Sequence, residues 1–341
     1  MSEARLPWID LHRHLEGAVR LETVLDLGRR HRVRLPADDL ERLRPHVQVS
    51  EPQPGVLAFI ARIELVTWVL ADLDACRRMA YECVLDAKAE GLDFLEVRFS
   101  PRFMAVPHAL DPAAVTAVVL EGLDEGSRET GLPVGAIGVL SRTYGVEACR
   151  QELDALLTRT DRIVALDLAG DELNFPCPLF IDHFRRARDA GWPVTVHAGE
   201  AAGPENVWSA IRDLGAVRIG HGVRAMEDPA LVDYMAEYRI GIEANLTSNV
   251  QTTTVSEFAA HPVRRMLDAG IPVNLNTDDP TISGGITLRH EHEVAAIAAG
   301  MTAEEILRTR QHAIDMAFLP EDAKRRLRSS ASGPALEGRG P

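Results

Sequence analysis

Eight short runs of apolar and β-branched residues recur along this chain of 341 residues, and helix-length segments with periodic apolar positions separate them. Most runs are continuously apolar, which is typical of parallel strands covered on both faces. The predicted strands are residues 7–12, 93–100, 134–140, 163–168, 194–197, 217–221, 240–245 and 273–277. Strand and helix alternation predicts an α/β fold, and the count of eight favours a (β/α)8 TIM barrel over an open doubly wound sheet.

Helical segments are predicted at residues 72–90, 112–131, 178–191, 204–214 and 229–238, several of which begin near proline and end at glycine. The first connection, residues 18–92, is too long for one crossover helix, so we expect extra helices there. Its apolar stretch 56–73 has two interpretations. Its apolar side chains either cover the mouth of the barrel as a lid or are core residues of an extra helix packed on the barrel. These side chains are Leu57, Phe59, Ile60, Ile63 and Val66.

The charge composition of the chain argues against polyanionic binding partners. The net charge is −14, from 37 basic and 51 acidic residues, and no block of Lys or Arg is present that would lie along phosphates. We therefore expect neither nucleic acid nor an anionic membrane as a partner. The first residues lack a signal-peptide pattern and no apolar run is long enough to span a bilayer, so a cytoplasmic location is expected. We expect one domain over residues 1–328 and a disordered tail over 329–341.

The four cysteines are Cys76, Cys83, Cys149 and Cys177. They are scattered and form no Cys-x-x-Cys pair, which predicts buried, reduced thiols and disfavours zinc ligation by thiolate.

Polar clusters follow four of the predicted strands: His12-Arg13-His14, His197-Ala-Gly-Glu200, Gly220-His221-Gly222 and Thr277-Asp278-Asp279-Pro280. Residues i and i+2 of a strand point to the same side, so His12 and His14 can face one ion. Active sites of these barrels form at the carboxyl ends of the strands. The alternative is that these residues are polar only because loops are polar and have no catalytic role. Glu200 would then be an acid in the first turn of a helix, and His221 a hydrogen-bonded histidine at a strand end. That alternative explains three such histidines poorly.

If His12, His14, His197 and Asp278 bind one zinc ion, the ion lowers the pKa of a bound water. Hydrolysis or hydrolytic deamination follows from that chemistry. Glu200 is then a candidate proton donor, and His221 and Asp279 are candidates to orient the nucleophile and to shuttle its proton.

The chain resembles the adenosine deaminases along nearly its whole length. The resemblance rests on seven segments: residues 10–17 (DLHRHLEG), 96–101 (EVRFSP), 167–172 (DLAGDE), 195–200 (TVHAGE), 219–222 (IGHG), 246–249 (LTSN) and 276–280 (NTDDP). It implies one zinc ion per chain on His12, His14, His197 and Asp278. It also implies that water attacks C6 of adenosine or 2′-deoxyadenosine, that ammonia leaves, and that inosine or 2′-deoxyinosine forms in purine salvage.

The resemblance also assigns roles around the substrate, a small purine nucleoside. Glu200 matches the proton donor to purine N1, and His221 and Asp279 match the groups around the attacking water. Gly170 matches the glycine whose backbone N–H faces purine N3. Substrate contacts are implied for His14, Glu16, Gly170 and Asp279, while the oligomeric state stays open.

One position departs from the family pattern. Adenosine deaminases carry Asp where this chain has Glu16, and in the family that Asp recognises the ribose 5′-hydroxyl. Related adenine deaminases carry Glu there, so adenine or a 5′-modified adenosine is the alternative substrate.

Two other classes of protein fit less well. A two-metal amidohydrolase with a bridging carboxylated lysine is disfavoured, because no lysine lies between Lys88 and Lys324. A non-catalytic purine-binding barrel is disfavoured because every matched position is present.

Overall fold

The computed structural model describes residues 6–330, and the eight predicted strands are all present. They are β1 (Ile9–His14), β2 (Phe94–Phe99), β3 (Val134–Ser141), β4 (Ile163–Ala169), β5 (Thr195–Ala198), β6 (Arg218–His221), β7 (Gly241–Ala244) and β8 (Val273–Leu275). All pair in parallel, β1 to β4 in one run and β5 to β8 in another.

Backbone bridges join the two runs into a closed barrel. Leu166 of β4 bridges Val194 just before β5, and Arg13 of β1 bridges Asp278 just after β8. The second bridge is hydrogen-bonded on both sides, because His14 N donates to Asp278 O and Asp278 N donates to His12 O, each at 2.8 Å. These bonds extend β1 to His14, two residues beyond the predicted strand end. The predicted (β/α)8 barrel is confirmed.

Helices follow the strands and cover the barrel. They are α1 (Leu21–His31), α2 (Leu40–Val47), α3 (Val56–Thr67), α4 (Leu73–Ala89), α5 (Pro101–Ala105), α6 (Pro112–Thr130), α7 (Val146–Leu157), α8 (Ile181–Asp189), α9 (Pro204–Ser209), α10 (Pro229–Glu237), α11 (Leu246–Gln251), α12 (Val263–Asp268), α13 (Leu288–His290), α14 (Ala296–Ala298), α15 (Ala303–Met316) and α16 (Glu321–Ser330). Wider turns at Ala210–Leu214 and Glu291–Ala295 extend α9 and join α13 to α14. No single helix in this part of the chain is long and apolar enough to cross a membrane.

The first connection contains four helices, α1 to α4, as the extra length predicted. The apolar stretch 56–73 is not one helix, however, since α3 ends at Thr67 and α4 begins at Leu73. A tight turn separates them, in which Leu70 N donates to Thr67 O at 3.1 Å. The Asp72 carboxylate then caps α4 by accepting the N–H of Ala75 at 2.8 Å, which fixes the new helix start.

The barrel interior contains buried ion pairs below the carboxyl ends of the strands. Arg218 of β6 forms ion pairs with Glu96 of β2 at 2.7 Å and with Glu243 of β7 at 2.6 Å, and all three side chains are buried. Apolar strand residues face the helices instead, among them Leu95 and Val97. Buried charges persist only when they are paired, so this network holds the strands in a fixed arrangement under the site.

All four cysteines are buried and unpaired, as predicted. The final helix includes Ser329 and Ser330, which lie within the predicted tail. The rest of that predicted tail, residues 331–341, falls outside the described residues.

Candidate active site

Imidazole nitrogens and a carboxylate from four strand ends converge at the mouth of the barrel. His12, His197, His221 and Asp278 are buried, and one donor atom from each lies within 4.8 Å of the others. The fifth member is His14, whose Nε2 lies 3.1 Å from His197 Nε2 and 3.5 Å from Asp278 Oδ1. The structure therefore brings together the four predicted ligands and His221.

Two of these histidines are held from behind by buried carboxylates. His12 Nδ1 lies 2.6 Å from Glu243 Oε2, and His197 Nδ1 lies 3.0 Å from Asp167 Oδ2. A carboxylate beside Nδ1 accepts its proton in a hydrogen bond, so the lone pair of Nε2 is free to face a metal. The buried His12 Nε2 makes no hydrogen bond of acceptable geometry and lies 3.1 Å from Asp278 Oδ1, another of the proposed ligands.

Arg98 of β2 keeps those two carboxylates ionised. Its guanidinium bonds Asp167 at 2.8 Å and Glu243 at 2.7 Å. Burial alone would raise the pKa of Glu243, yet Arg98 and Arg218 hold that pKa well below its usual range. The pKa of Asp167 is also lowered despite burial, by His197 and Arg98. Both carboxylates therefore stay negative behind their histidines.

His221 has a different kind of partner. Its Nδ1 lies 2.9 Å from Asn249 Nδ2, an amide nitrogen that can only donate. Burial lowers the pKa of His221 well below its ordinary value, so the ring is neutral. His221 and Asp278 are also the two site residues other than glycine with left-handed backbones, at φ of 62° and 60°. Such strained conformations cluster at active sites, where the surrounding contacts hold them in place.

Glu200 lies on the loop after β5 and faces the cluster, with Oε1 3.6 Å from His221 Nδ1. Burial, the neighbouring Asp278 and then Glu172 raise the pKa of Glu200 well above its ordinary value. A carboxyl group that holds its proton at neutral pH is a suitable general acid.

The Glu200 loop is anchored by Glu172, from the loop after β4. The Glu172 carboxylate accepts the backbone N–H groups of four consecutive residues, at distances of 2.6 to 3.2 Å; they are Gly199, Glu200, Ala201 and Ala202. It also accepts the Asn206 side-chain amide at 2.8 Å. The position of Glu200 therefore depends on Glu172.

Asp279 lies beside Asp278 and is buried. Its Oδ1 makes no hydrogen bond, and burial followed by the Asp278 charge raises its pKa well above the usual range. A Cβ added to Gly17 would lie 1.7 Å from Asp279 Oδ1, so only glycine leaves room for this side chain. Asp279 is thus a buried carboxyl group beside the cluster, with one oxygen free to form a hydrogen bond.

Glu16 lines the same cleft and accepts the backbone N–H of Ser100 at 2.8 Å. Burial raises the pKa of Glu16 to about 7. The carboxyl group of Glu16 is thereby fixed in the cleft.

Gly170 lies at the opposite wall, just after β4. Its φ of 110° is a conformation that other residues rarely adopt, and a Cβ there would meet Thr143 Oγ1 at 2.4 Å. The backbone at this wall is thereby available for close approach by a flat ligand.

Helix α3 forms the outer wall of the cleft. Phe59, Ile60 and Ile63 line it, in agreement with the lid interpretation. Val66 instead is fully buried in the core, and Leu57 is 51% exposed outside the main cleft. The helix therefore serves both as a wall and as part of the core.

These residues fit a zinc ion. Three imidazoles and one carboxylate are ligands that zinc accepts, and the carboxylates behind His12 and His197 are the partners that zinc-binding histidines have. His12 Nε2 gives the clearest indication, because this buried nitrogen makes no hydrogen bond yet lies 3.1 Å from Asp278 Oδ1, as two ligands of one cation would.

Sequence reasoning assigned no role to the supporting residues Arg98, Asp167, Glu172 and Glu243, although the first three lie in segments that carry the family resemblance. It also missed His261, whose Nε2 lies 3.1 Å from Oδ1 of Asn249, the partner of His221. Some signal was present, because Arg98 and Glu243 are charged residues inside apolar strands, and such residues need buried partners. His261 carries no comparable signal, since it lies in a loop far along the chain.

Comparison with known proteins agrees with this arrangement. A family model described as adenosine deaminase matches residues 7–332. An adenosine deaminase of Edwardsiella ictaluri is 54% identical over 330 residues, which are 97% of this chain and 99% of that protein. An adenosine deaminase of Escherichia coli O139:H28 is 52% identical over 332 residues, with 97% and 99% covered.

Solved structures share the fold. An adenine deaminase of Arthrobacter aurescens superposes with a TM-score of 0.88 at 24% identity, covering 96% of this chain and 98% of that one. An amidohydrolase of Burkholderia ambifaria with bound zinc superposes with a TM-score of 0.87 at 26% identity, covering 96% and 90%.

Proposed function

The chain belongs to the adenosine deaminase family, and we propose that it catalyses the zinc-dependent hydrolytic deamination of adenosine and 2′-deoxyadenosine. Water and adenosine give inosine and ammonia, and the deoxynucleoside reacts in the same way. The observation that carries the proposal is a buried acid with a strongly raised pKa, Glu200, beside a cluster of metal-ligating groups. The same proposal places the enzyme in purine salvage in the cytoplasm, with one catalytic domain over residues 1–328.

We assign the zinc ion to His12, His14, His197 and Asp278. The Nδ1 partners support this choice over a set with His221, since His12 and His197 face carboxylates whereas His221 faces an amide donor. When bound, zinc supplies Lewis acidity that lowers the pKa of a water molecule toward neutrality.

The protein groups supply the remaining chemistry. Glu200 delivers its proton to purine N1, which draws electrons away from C6 and favours attack there. We assign His221 and Asp279 to the attacking water, which they orient and whose proton they shuttle. The backbone N–H of Gly170 holds purine N3, and Glu16 holds the sugar. Helix α3 limits access of bulk water to the cleft.

A zinc titration tests this proposal. Metal-free protein is expected to release no ammonia from adenosine, and activity should rise to a plateau at one zinc per chain. His14→Ala should lose most of its zinc, whereas His221→Ala should keep zinc and lose turnover. A protein that stays inactive on both nucleosides with one zinc bound would contradict the proposal.

Glu16 favours a second candidate, deamination of adenine or of a 5′-modified adenosine. The Glu16 side chain is one methylene longer than the Asp of the family pattern. Its carboxylate, held by the Ser100 N–H, extends into the cleft and leaves less room for the sugar. Ammonia release from those compounds, with none from adenosine, would establish this alternative.

A further inference from the structure

A chain of hydrogen bonds leads from a backbone amide to the site histidine His221. It starts at Val263 N, which donates to His261 Nδ1 at 3.1 Å. A backbone N–H can only donate, so His261 Nδ1 must be the unprotonated nitrogen of its ring. The proton of the neutral His261 ring then resides on Nε2.

The next contact follows from that assignment. His261 Nε2 lies 3.1 Å from Asn249 Oδ1, and its N–H donates to that oxygen. Asn249 is fully buried and His261 nearly so. Burial lowers the pKa of His261 to about 3, so this ring is neutral. The amide of Asn249 therefore has one permitted orientation, with its oxygen toward His261 and its NH2 group toward His221.

At His221 the chain ends on a single ring nitrogen. Asn249 Nδ2 donates to His221 Nδ1 at 2.9 Å, so the His221 proton resides on Nε2. Asn245 Nδ2 lies 3.3 Å from Nδ1 and 3.4 Å from Nε2, and contacts of such similar length do not select either tautomer. Glu200 Oε1, at 3.6 Å from Nδ1, is too distant to compete.

We propose that His261 and Asn249 are positioning residues that hold His221 as the neutral Nε2–H tautomer, a hydrogen-bond donor directed into the reaction centre. This inference rests on the proposed function and narrows the part that His221 plays in it. With its Nε2 protonated, His221 orients the attacking water by donation and does not ligate the zinc ion. A protonated Nε2 cannot accept the proton of that water, so His221 is not the base in this step.

Nitrogen-15 NMR of histidine-labelled enzyme tests the tautomer without any measurement of turnover. Signals of His221 are assigned by their loss from His221→Gln. The proposal predicts a protonated, pyrrole-type Nε2 and an imine-type Nδ1, in both the zinc-free and the zinc-loaded protein. A protonated Nδ1 in the wild-type enzyme would overturn it, whether or not adenosine is a substrate.

Asn249→Asp gives the complementary experiment. A carboxylate at this position accepts a proton from Nδ1, so the two His221 signals should exchange character and kcat for adenosine should fall at least 100-fold, with a much smaller change in KM. Gln251→Glu is the matched control, because it adds the same charge on the same helix without contact to His221, and both the signals and kcat should stay as in the wild type. His221 signals unchanged in Asn249→Asp would overturn the proposal. Should Asn249→Asp not fold, the wild-type spectrum still decides.

Discussion

The carboxylate of Glu172, on the loop after β4, accepts the backbone N–H of Glu200, on the loop after β5. The two loops that supply the proposed N1 and N3 contacts of the purine are therefore tied together. Because four successive amides of the Glu200 loop donate to this one carboxylate, no neutral side chain replaces it fully.

Glu172→Gln is expected to lower kcat for adenosine by about 10²-fold, since a displacement of the acid by about 1 Å has effects of that size. An amide NH2 group would face backbone N–H donors, which pushes the loop away. Binding of 1-deazaadenosine, which lacks N1, should change little. Glu205→Gln is the control, because the Glu205 carboxylate is exposed and its only described bond is to Gly203 N. Equal losses in both variants would argue against an anchoring role.

Glu200→Gln should keep its zinc and lose about 10²–10⁴-fold in kcat, because the proton source for N1 is gone while the shape is retained. Steady-state kinetics and metal analysis on the same sample check this expectation. A variant with nearly wild-type kcat would remove Glu200 from the proposed step.

The raised pKa of the buried Glu291 makes the free energy of unfolding depend on pH. Burial raises the pKa of Glu291 to about 8, from 4.5, although it accepts the backbone N–H groups of Leu246 and Thr247. Between about pH 4.5 and pH 8 the folded state holds a proton on Glu291 that the unfolded chain has lost. The stabilisation from the protonated Glu291 is therefore fully present below about pH 4.5 and is lost as pH rises through about 8.

Thermal unfolding at pH 6 and pH 9 should therefore differ less in Glu291→Gln than in the wild type. If Tm falls by the same amount between pH 6 and pH 9 in both proteins, Glu291 is not a buried protonated acid.

Glu16→Asp separates the sugar contact from the base contacts. The shorter side chain should lose one hydrogen bond to the sugar or to Ser100 N–H, which raises KM for adenosine by about 10-fold. Adenine has no sugar, so its kinetics should change little. Equal effects on both compounds would mean that Glu16 acts on the fold of the cleft and not on the ribose.

Local patterns in the sequence predicted the barrel and the groups at its mouth, because strand ends and i, i+2 spacing are short-range features. His12 and His14 face the same centre for that reason, while Arg13 turns away to bond Asp10 at 3.1 Å. The residues behind them depend on long-range packing. Glu243 reaches His12 across 231 positions of sequence, and no local pattern encodes such a pairing.

His261 is the clearest example of this limit. It contacts Asn249 only because the loop before α12 folds back over α11, and its role appears only from the direction of each hydrogen bond. The break between α3 and α4 was also missed, since an apolar stretch does not reveal where an Asp caps a new helix.

The ratio of kcat/KM for adenosine to that for adenine, measured on the one-zinc enzyme, tests the central claim most directly. Adenine lacks the ribose whose binding helps to position C6 for attack, so the account predicts a ratio above about 10². A ratio below one, with adenine deaminated faster than adenosine, would contradict it.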